Sequence, residues 1–170
     1  MSLSPTGCYA LVEAQNPRHF ASAATLFQEY AAQLGVDLCF QGFAAELTQL
    51  PLMYGPPAGC LVLVMRGSTP VGCGAVRRLA DGLCEMKRLY IRGDARGAQL
   101  GRRVAEHLIE RARALGYRTM RLDTLKDMTS ARSLYRSLGF REIAAYYDNP
   151  LADSVYLELA IAGLDSAAAH

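Results

Sequence analysis

The chain has 170 residues, about half of them apolar, and a formal net charge of +2. This length fits one domain with a full hydrophobic core, and a charge this small gives no general case for binding nucleic acid. The longest apolar run, CLVLVM at 60–65, is far too short to span a bilayer, so no membrane segment is expected.

Cysteine and histidine usage indicates a reduced cytoplasmic protein without a metal site. The five cysteines include no CxxC pair, which is typical of buried thiols in a chain with a normal core. The three histidines are far apart in the sequence, so no metal cluster is predicted. No signal peptide is recognised. A single domain is expected at 7–163, with flexible termini at 1–6 and 164–170.

The first third of the chain predicts one strand, two helices and a loop. Residues 8–14 predict the strand, and Asn16 followed by Pro17 favours a helix start, because Asn is a good N-cap and Pro suits the first turn. An apolar stripe continues to Gly35, where this helix ends. A short second helix is predicted around 41–50, and the Pro- and Gly-rich residues 50–59 are predicted to form a loop.

Six strands and two helices are predicted after residue 59. In chain order they are strands at 59–65, 70–80 and 83–91, a helix from about 97 to 115, a strand at 117–125, a helix at 128–138, and strands at 140–148 and 154–161. Short turns between the first three of these strands predict an antiparallel meander. The fold class is α/β (α+β): a mixed, mostly antiparallel sheet of about seven strands with about four helices on its faces.

The start of the helix near residue 97 has the features of an anion site. A helix N-terminus carries about four unpaired amides and a partial positive charge. Gly97 and Gly101 allow close approach to the backbone, and Arg96, Arg102 and Arg103 add positive charge. This indicates a phosphate or pyrophosphate site; the alternative is an ordinary helix start with a solvated basic face. Neither GxxxxGK[ST] nor GxGxxG is present, which argues against ATP and NAD.

Two motifs together resemble those of the GCN5-related N-acetyltransferases (GNAT). EMKRLYIRGDARGAQLG (85–101) resembles the family run L-x-V-x-P-x-x-R-G-x-G-x-G, which binds acetyl-coenzyme A (acetyl-CoA). ARSLYRSLGF (131–140) resembles the second signature, A-x-x-L-Y-x-x-x-G-F. The order of elements is similar along about residues 8–162. YYDNP (146–150) resembles, less specifically, a bacterial subgroup of amino-acid or small-amine acetyltransferases.

The resemblance implies a cofactor site where the sheet splays between its fourth and fifth strands. The backbone of the fourth strand would pair with the pantetheine arm, and residues 96–102 would hold the pyrophosphate. The cofactor-binding residues it implies are Leu89, Tyr90, Ile91, Arg96, Gly97, Ala98, Gln99, Leu100, Gly101, Arg102, Ser130 and Ser133. Two departures stand out: Gln99 replaces a usual glycine, which a helical backbone would tolerate, and Met128 replaces a common asparagine.

The resemblance also implies catalytic and acceptor-binding residues. Tyr135 matches the family tyrosine that protonates the leaving sulfur, and Glu85 matches a frequent family glutamate that acts as general base. The alternatives are a core tyrosine, and a strand carboxylate paired with Lys87 or a neighbouring arginine. The acceptor pocket of the family would here contain Tyr30, Phe40, Lys87, Tyr146 and Tyr147, with Lys87 able to bind an acceptor carboxylate.

The expected function is therefore acetyl transfer from acetyl-CoA to a primary amine of a small molecule, either an amino acid or an amine-like compound, by direct attack. Two alternatives stay open at this point: a protein lysine or N-terminal acetyltransferase, and a non-catalytic coenzyme A-binding regulatory module. No nucleic-acid or membrane partner is expected. Many members of the family are dimers, so a homodimer is an expectation of the resemblance alone.

Overall fold

One seven-stranded sheet, in the order β1-β2-β3-β4-β5-β7-β6, runs through a computed structural model that describes residues 7–35, 37–38 and 42–161. β4 and β5 are parallel, and all other neighbouring strands are antiparallel. This is the mixed, mostly antiparallel sheet that the sequence predicts. The strands are Tyr9–Glu13 (β1), Cys60–Arg66 (β2), Thr69–Ala80 (β3), Leu83–Ile91 (β4), Thr119–Leu125 (β5), Arg141–Ile143 (β6) and Ser154–Ala160 (β7).

Five α-helices are found within the described residues. They are Pro17–Leu34 (α1), Phe43–Thr48 (α2), Leu50–Tyr54 (α3), Leu100–Ala114 (α4) and Thr129–Ser137 (α5). The N-cap and C-terminal glycine predicted for α1 are confirmed, since the Asn16 side chain accepts from the amide of His19 and Gly35 is left-handed with φ 63°. None of the described helices is long and apolar enough to cross a membrane.

The short helix α3 lies where the sequence predicts a loop. Its first turn contains Pro51, a position where the missing amide hydrogen costs nothing. Leu50 and Tyr54, four residues apart, point to the same side and are both buried. Packing of this apolar side against the sheet therefore stabilises a short helix, although the Pro- and Gly-rich sequence predicts a loop.

Two hydrophobic layers cover the sheet, one on each face. α4 and α5 pack on one face through residues such as Val104, Leu108 and Tyr135. α1 and α3 pack on the other, where Phe27 and Tyr54 are fully buried. The sheet strands alternate between the layers, as the two-residue period of a strand requires.

A β-bulge in β4 reverses that alternation just before the candidate site. Tyr90 pairs with Cys73 and Lys87 with Ala75, so β4 has one residue more than β3 over this stretch. The extra residue is accommodated at Arg88, whose φ of 59° is left-handed. Arg88 consequently lies on the α1–α3 face, next to Lys87, and forms a buried ion pair with Glu46 of α2.

The strand predicted at 140–148 is wrong beyond residue 143, and the chain continues as a loop. Tyr146 and Tyr147 are consecutive, yet both hydroxyls reach inward, to Glu85 and Asp123 respectively. A strand would direct consecutive side chains to opposite faces, so these two hydrogen bonds require a loop. The predicted domain end at 162–163 lies outside the described residues.

Candidate active site

The sheet splays between β4 and β5 and leaves a cavity. The two strands pair only at Leu83–Thr119, Cys84–Met120 and Glu85–Arg121. Beyond this point, residues 86–91 of β4 and 122–125 of β5 line a cavity of about 510 Å³, which the N-terminus of α4 and the first turns of α5 also line. The predicted splay is therefore present, and the facing backbone edges of both strands are left for a ligand to pair with.

The N-terminus of α4 has no side-chain cap and lies at this cavity. The N-cap residue, Gln99, makes no capping hydrogen bond, and the first bond of the helix runs from the Arg103 amide to the Gln99 carbonyl, 3.0 Å away. The amides of residues 100–102 precede that bond, so they have no intrahelical acceptor. With the helix dipole, they give this end of the cavity free hydrogen-bond donors and a partial positive charge.

Gln99 is not helical, contrary to the sequence-based expectation. Its φ and ψ of 52° and 32° are left-handed, and Gly97 two residues earlier has φ 103°. The chain reverses at these residues so that it can enter α4 directly beside the cavity. A glycine would adopt this conformation without the steric cost, roughly 1–2 kcal/mol, that a side chain incurs there.

Most of the predicted cofactor residues line the cavity. These are Leu89, Tyr90, Ile91, Arg96, Gly97, Gln99, Leu100, Gly101 and Ser130, joined by Met128. The cavity lining does not include Ala98, Arg102 or Ser133. Arg102 instead contacts the hydroxyl of Ser137 and the carboxylate of Glu106, so its guanidinium lies on the outer side of α4.

Tyr135 reaches the cavity from the α4–α5 face. Its residue surface is 7% exposed, and its ring packs edge-to-face on Phe140 at 5.6 Å. Burial raises the pKa of the Tyr135 hydroxyl, and the negative charge of Asp123 adds to this. Tyr135 therefore carries its proton at neutral pH and can donate it. Within the described residues no hydrogen bond to this hydroxyl is found.

Glu85 lies at the inner end of the splay, where its carboxylate is already fully engaged. Arg77 Nε is 2.8 Å from Oε1, the Tyr146 hydroxyl donates to Oε2 at 2.6 Å, and Lys87 Nζ is 3.7 Å from Oε1. The side chain is only 2% exposed. This geometry matches the paired strand carboxylate that was the alternative interpretation, and the base role of Glu85 stays a prediction.

Asp123 is the acidic side chain of β5 that lines the cavity, and it is not among the site residues predicted from the sequence. Its Oδ2 accepts a hydrogen bond from the Tyr147 hydroxyl at 2.7 Å. Burial raises the pKa of Tyr30 and Tyr135, and the charge of Asp123 adds to both shifts. Burial lowers the pKa of Lys87, and the same charge partly offsets that shift, so Asp123 lies among the groups of the site. Its one sequence signal is weak: it is the acidic residue in the strand-like run YRTMRLDTL at 117–125.

The predicted acceptor residues divide into two groups. Tyr30 and Lys87 line the cavity, beside Leu34, Leu38 and Leu151. Tyr146 and Tyr147 do not line it, because their hydroxyls donate to Glu85 and Asp123. Phe40 lies outside the described residues.

The loop that carries these two tyrosines is held by its own hydrogen bonds. The Asn149 side-chain amide donates to the Tyr147 hydroxyl at 3.0 Å and to Ser154 Oγ at 2.8 Å. The same side chain accepts from the Leu151 amide at 2.9 Å. The loop thereby fixes both the phenol that bonds Asp123 and Leu151, which lines the cavity.

His107 lies in a cluster of possible metal ligands that the sequence does not predict. The ligand atoms of Glu13, Cys60 and His107 all lie within 4.8 Å of one another. Arg111 Nε is also 2.8 Å from the Glu13 carboxylate. The guanidinium charge thus neutralises the carboxylate, and burial raises the pKa of the Cys60 thiol to about 11.

Comparison with known proteins identifies the family of this fold. The family model described as the acetyltransferase (GNAT) family matches residues 23–140. An uncharacterised N-acetyltransferase of Schizosaccharomyces pombe is 41% identical over 146 residues, which cover 84% of this chain and 89% of that protein. A protein of Azospirillum brasilense named IAA acetyltransferase is 35% identical over 137 residues, covering 78% and 86%. A solved acetyltransferase structure from Salmonella typhimurium with its cofactor acetyl-CoA superposes with a TM-score of 0.64 at 19% identity, over 91% of this chain and 95% of that one.

Proposed function

The chain belongs to the GNAT acetyltransferase family and is an N-acetyltransferase that uses acetyl-CoA, and on that premise we propose that it acetylates the primary amine of a small amino acid or amine-like acceptor. The observation that carries the proposal is the single splay cavity. The uncapped N-terminus of α4 lines this cavity, and Asp123 and Tyr135 enter the cavity from opposite faces of the sheet.

The residues of the cavity fit acetyl-CoA. The free amides of residues 100–102 and the Arg96 side chain, which lines the same cavity, suit the pyrophosphate. The unpaired edge of β4 at 89–91 suits the amide groups of the pantetheine arm. A Cβ at Gly101 would come no closer than 3.7 Å to Leu134, so packing does not require this glycine, and the open backbone surface there is available to a ligand. When bound, acetyl-CoA supplies the activated acetyl group.

Asp123 is the group we assign as general base. An acceptor amine is protonated at neutral pH and must lose a proton before it can attack a carbonyl carbon. Among the described side chains, Tyr147 alone donates to Asp123, and it does so to Oδ2, so Oδ1 remains available to an acceptor. Both oxygens of Glu85 are engaged instead. Asp123 thus accepts the proton directly or through a water.

Tyr135 is the group we assign as general acid. Burial favours the protonated hydroxyl, since it raises the Tyr135 pKa. The hydroxyl would give its proton to the departing sulfur, while Asp123 on the other side of the splay holds the proton taken from the amine. After attack the nitrogen loses a second proton, which restores the Tyr135 hydroxyl as the intermediate collapses, and Asp123 releases the first proton to solvent.

The test measures acetyl-CoA-dependent thiol release with a panel of amino acids and simple amines, in the wild type and in Asp123→Asn, Glu85→Gln and Tyr135→Phe. Removing a positioned acid or base lowers kcat/KM by about 10²–10⁴-fold. We expect losses in this range for Asp123→Asn and Tyr135→Phe, with acetyl-CoA affinity unchanged by calorimetry.

The remaining results separate the alternatives. A loss in Glu85→Gln with none in Asp123→Asn would transfer the base role to Glu85. If the protein binds acetyl-CoA but acetylates no small amine, while it does acetylate peptides, then the small-molecule acceptor is refuted and a protein substrate replaces it. Failure to bind acetyl-CoA at all would remove the catalytic assignment.

A further inference from the structure

Two apolar side chains lie opposite each other at the closed end of the splay, the point where β4 and β5 part. Glu85 and Arg121 form the last pair between these parallel strands, so Met86 and Leu122 are the first residues beyond it. Both line the cavity. They belong to the hydrophobic layer under α4 and α5, and they are only 3% and 1% exposed. On this face of the sheet the cavity therefore ends against a packed apolar wall.

The opposite face of the closed end is polar. Because strand residues alternate between faces, Glu85 points away from Met86, towards the α1–α3 face. Its carboxylate accepts from Arg77 Nε at 2.8 Å and from the Tyr146 hydroxyl at 2.6 Å. An apolar group that reaches the closed end is therefore favoured next to Met86 and Leu122, and disfavoured next to this hydrogen-bonded carboxylate.

The proposed reaction directs the acyl chain towards this closed end. The pantetheine arm would run along β4 from Ile91 to Leu89, with the thioester at the inner end of that run. At the carbonyl carbon, the amine would arrive from the side of Asp123 and the sulfur would leave on the side of Tyr135. The unpaired backbone edge of β4 would provide amides for the carbonyl oxygen. The direction that remains for the acyl chain is the closed end.

From this arrangement we infer that Met86 and Leu122 limit the length of the acyl group, so that the enzyme transfers acetyl and discriminates against propionyl and butyryl. The inference rests on the proposed function and adds the two residues that select the donor. A longer chain would have to displace buried side chains, and inserting methylenes into a well-packed core carries a steric cost. A smaller residue at either position removes that cost and opens space beside the acetyl group.

The experiment compares acetyl-CoA, propionyl-CoA and butyryl-CoA as donors, with the acceptor that reacts fastest in the amine panel. The proteins are the wild type, Met86→Ala, Leu122→Ala and the control Met120→Ala. Leucine to alanine removes three carbon atoms, which makes room for the two methylenes that butyryl adds to acetyl. Met120 is a matched control because it lies on β5 two residues before Leu122, is fully buried in the same layer and does not line the cavity. Leu122→Val, which removes one carbon atom, replaces Leu122→Ala if the alanine variant does not fold.

Two quantities are measured for each donor: kcat/KM, and Kd by calorimetric titration in the absence of an acceptor. In the wild type we expect kcat/KM to fall by about 5- to 150-fold from acetyl-CoA to butyryl-CoA, the range of an overpacked core. In Leu122→Ala the Kd of butyryl-CoA relative to that of acetyl-CoA should fall by about 15-fold, because each newly buried methylene contributes about fourfold. Leu122→Val should give about fourfold for propionyl-CoA, and Met120→Ala should keep the wild-type ratios.

Three results would overturn the inference while leaving the proposed function intact. The wild type could use butyryl-CoA as well as acetyl-CoA. The variants at Met86 and Leu122 could keep the wild-type preference for acetyl-CoA in both kcat/KM and Kd. Met120→Ala could change the preference as much as Leu122→Ala does, which would indicate a general effect of core packing. By contrast, a wild type that does not bind acetyl-CoA, or that transfers its acetyl group to no small amine, would refute the proposed function itself.

Discussion

Glu46→Ala is expected to be among the most destabilising single substitutions in this protein. Glu46 and Arg88 form an ion pair in which the two side chains are 2% and 4% exposed. Arg88 donates from Nε to Oε1 at 3.1 Å and from Nη2 to Oε2 at 2.7 Å, and the Tyr54 hydroxyl donates to Oε1 at 2.7 Å. Alanine would remove the acceptor of all three bonds and leave a guanidinium buried without its counter-charge.

The size of the effect follows from that burial. Removing one partner of a buried pair costs about 3–5 kcal/mol, because the remaining charge is not solvated. At about 2–4 °C for each kcal/mol in a protein of this length, the midpoint of thermal unfolding should fall by roughly 6–20 °C. The Arg78–Asp81 pair provides a matched control, since its side chains are 56% and 97% exposed; Asp81→Ala should change stability little.

Urea unfolding of Glu46→Met, Arg88→Met and the double variant Glu46→Met/Arg88→Met gives the coupling free energy between the two residues. We expect the double variant to be more stable than the sum of the single losses predicts, by at least about 1.5 kcal/mol. Two results would show that the buried pair does not stabilise the fold. One is a loss of unfolding free energy below about 1 kcal/mol in Glu46→Ala, and the other is strictly additive losses in the double variant.

The same pair predicts a dependence of stability on pH. Burial alone would raise the pKa of Glu46, but the hydrogen bonds and charge of Arg88 outweigh it, and the pKa is lowered. A carboxyl whose folded pKa is below its unfolded pKa contributes its full stability above the unfolded value and loses it as the pH falls through the folded value. The difference in stability between wild type and Glu46→Gln should therefore shrink on acidification.

Three further predictions concern the cavity and the sheet beneath it. Gly101→Glu should abolish acetyl-CoA binding by charge repulsion at the α4 N-terminus. Gly101→Ala should still fold, because its Cβ would lie 3.7 Å from the nearest atom. Calorimetric titration measures acetyl-CoA binding by both variants, and normal binding by the glutamate variant would mean that the pyrophosphate binds elsewhere. Tyr147→Phe removes the hydrogen bond to Asp123 and should lower kcat about tenfold with unchanged acetyl-CoA affinity; an unchanged kcat would mean that Asp123 does not need this phenol. Gly74→Ala would put a Cβ 2.7 Å from Val104 Cγ1 and should cost about 1–3 kcal/mol in urea unfolding, so a fully stable variant would contradict the close packing of α4 on β3.

The sequence predicts those elements whose signals are local. The Asn16 cap, the glycine at 35 and the apolar stripe between them lie within one helix, and α1 has the predicted ends. The meander of β2, β3 and β4 likewise follows from short turns between alternating runs. The paired motifs near residues 96–101 and 131–140 are also continuous stretches, and residues of both line the same cavity.

What the sequence did not predict depends on contacts between distant residues. Arg88 and Glu46 are 42 positions apart, and Tyr146 and Glu85 are 61 apart. The strand propensity of residues 144–148 wrongly predicts a strand there. No local sequence pattern predicts the bulge in β4. The same limit applies to Asp123: a single carboxylate in a strand has many uses, and its place opposite Lys87 becomes visible only once β4 and β5 are known to part after Glu85.

The β4 bulge connects stability to chemistry in this protein. Without the extra residue at Arg88, strict alternation would turn Leu89 to the α1–α3 face and Arg88 to the α4 face, into an apolar layer with no carboxylate to receive it. With the bulge, Arg88 reaches Glu46 and leaves the neighbouring Lys87 directed to the cavity. The Glu46–Arg88 pair therefore stabilises a local backbone conformation that L-residues otherwise disfavour, and this conformation sets which charges of β4 face the cavity. A substitution at Glu46 should accordingly alter KM for the acceptor before it alters binding of acetyl-CoA, because α4 lies on the other face of the sheet.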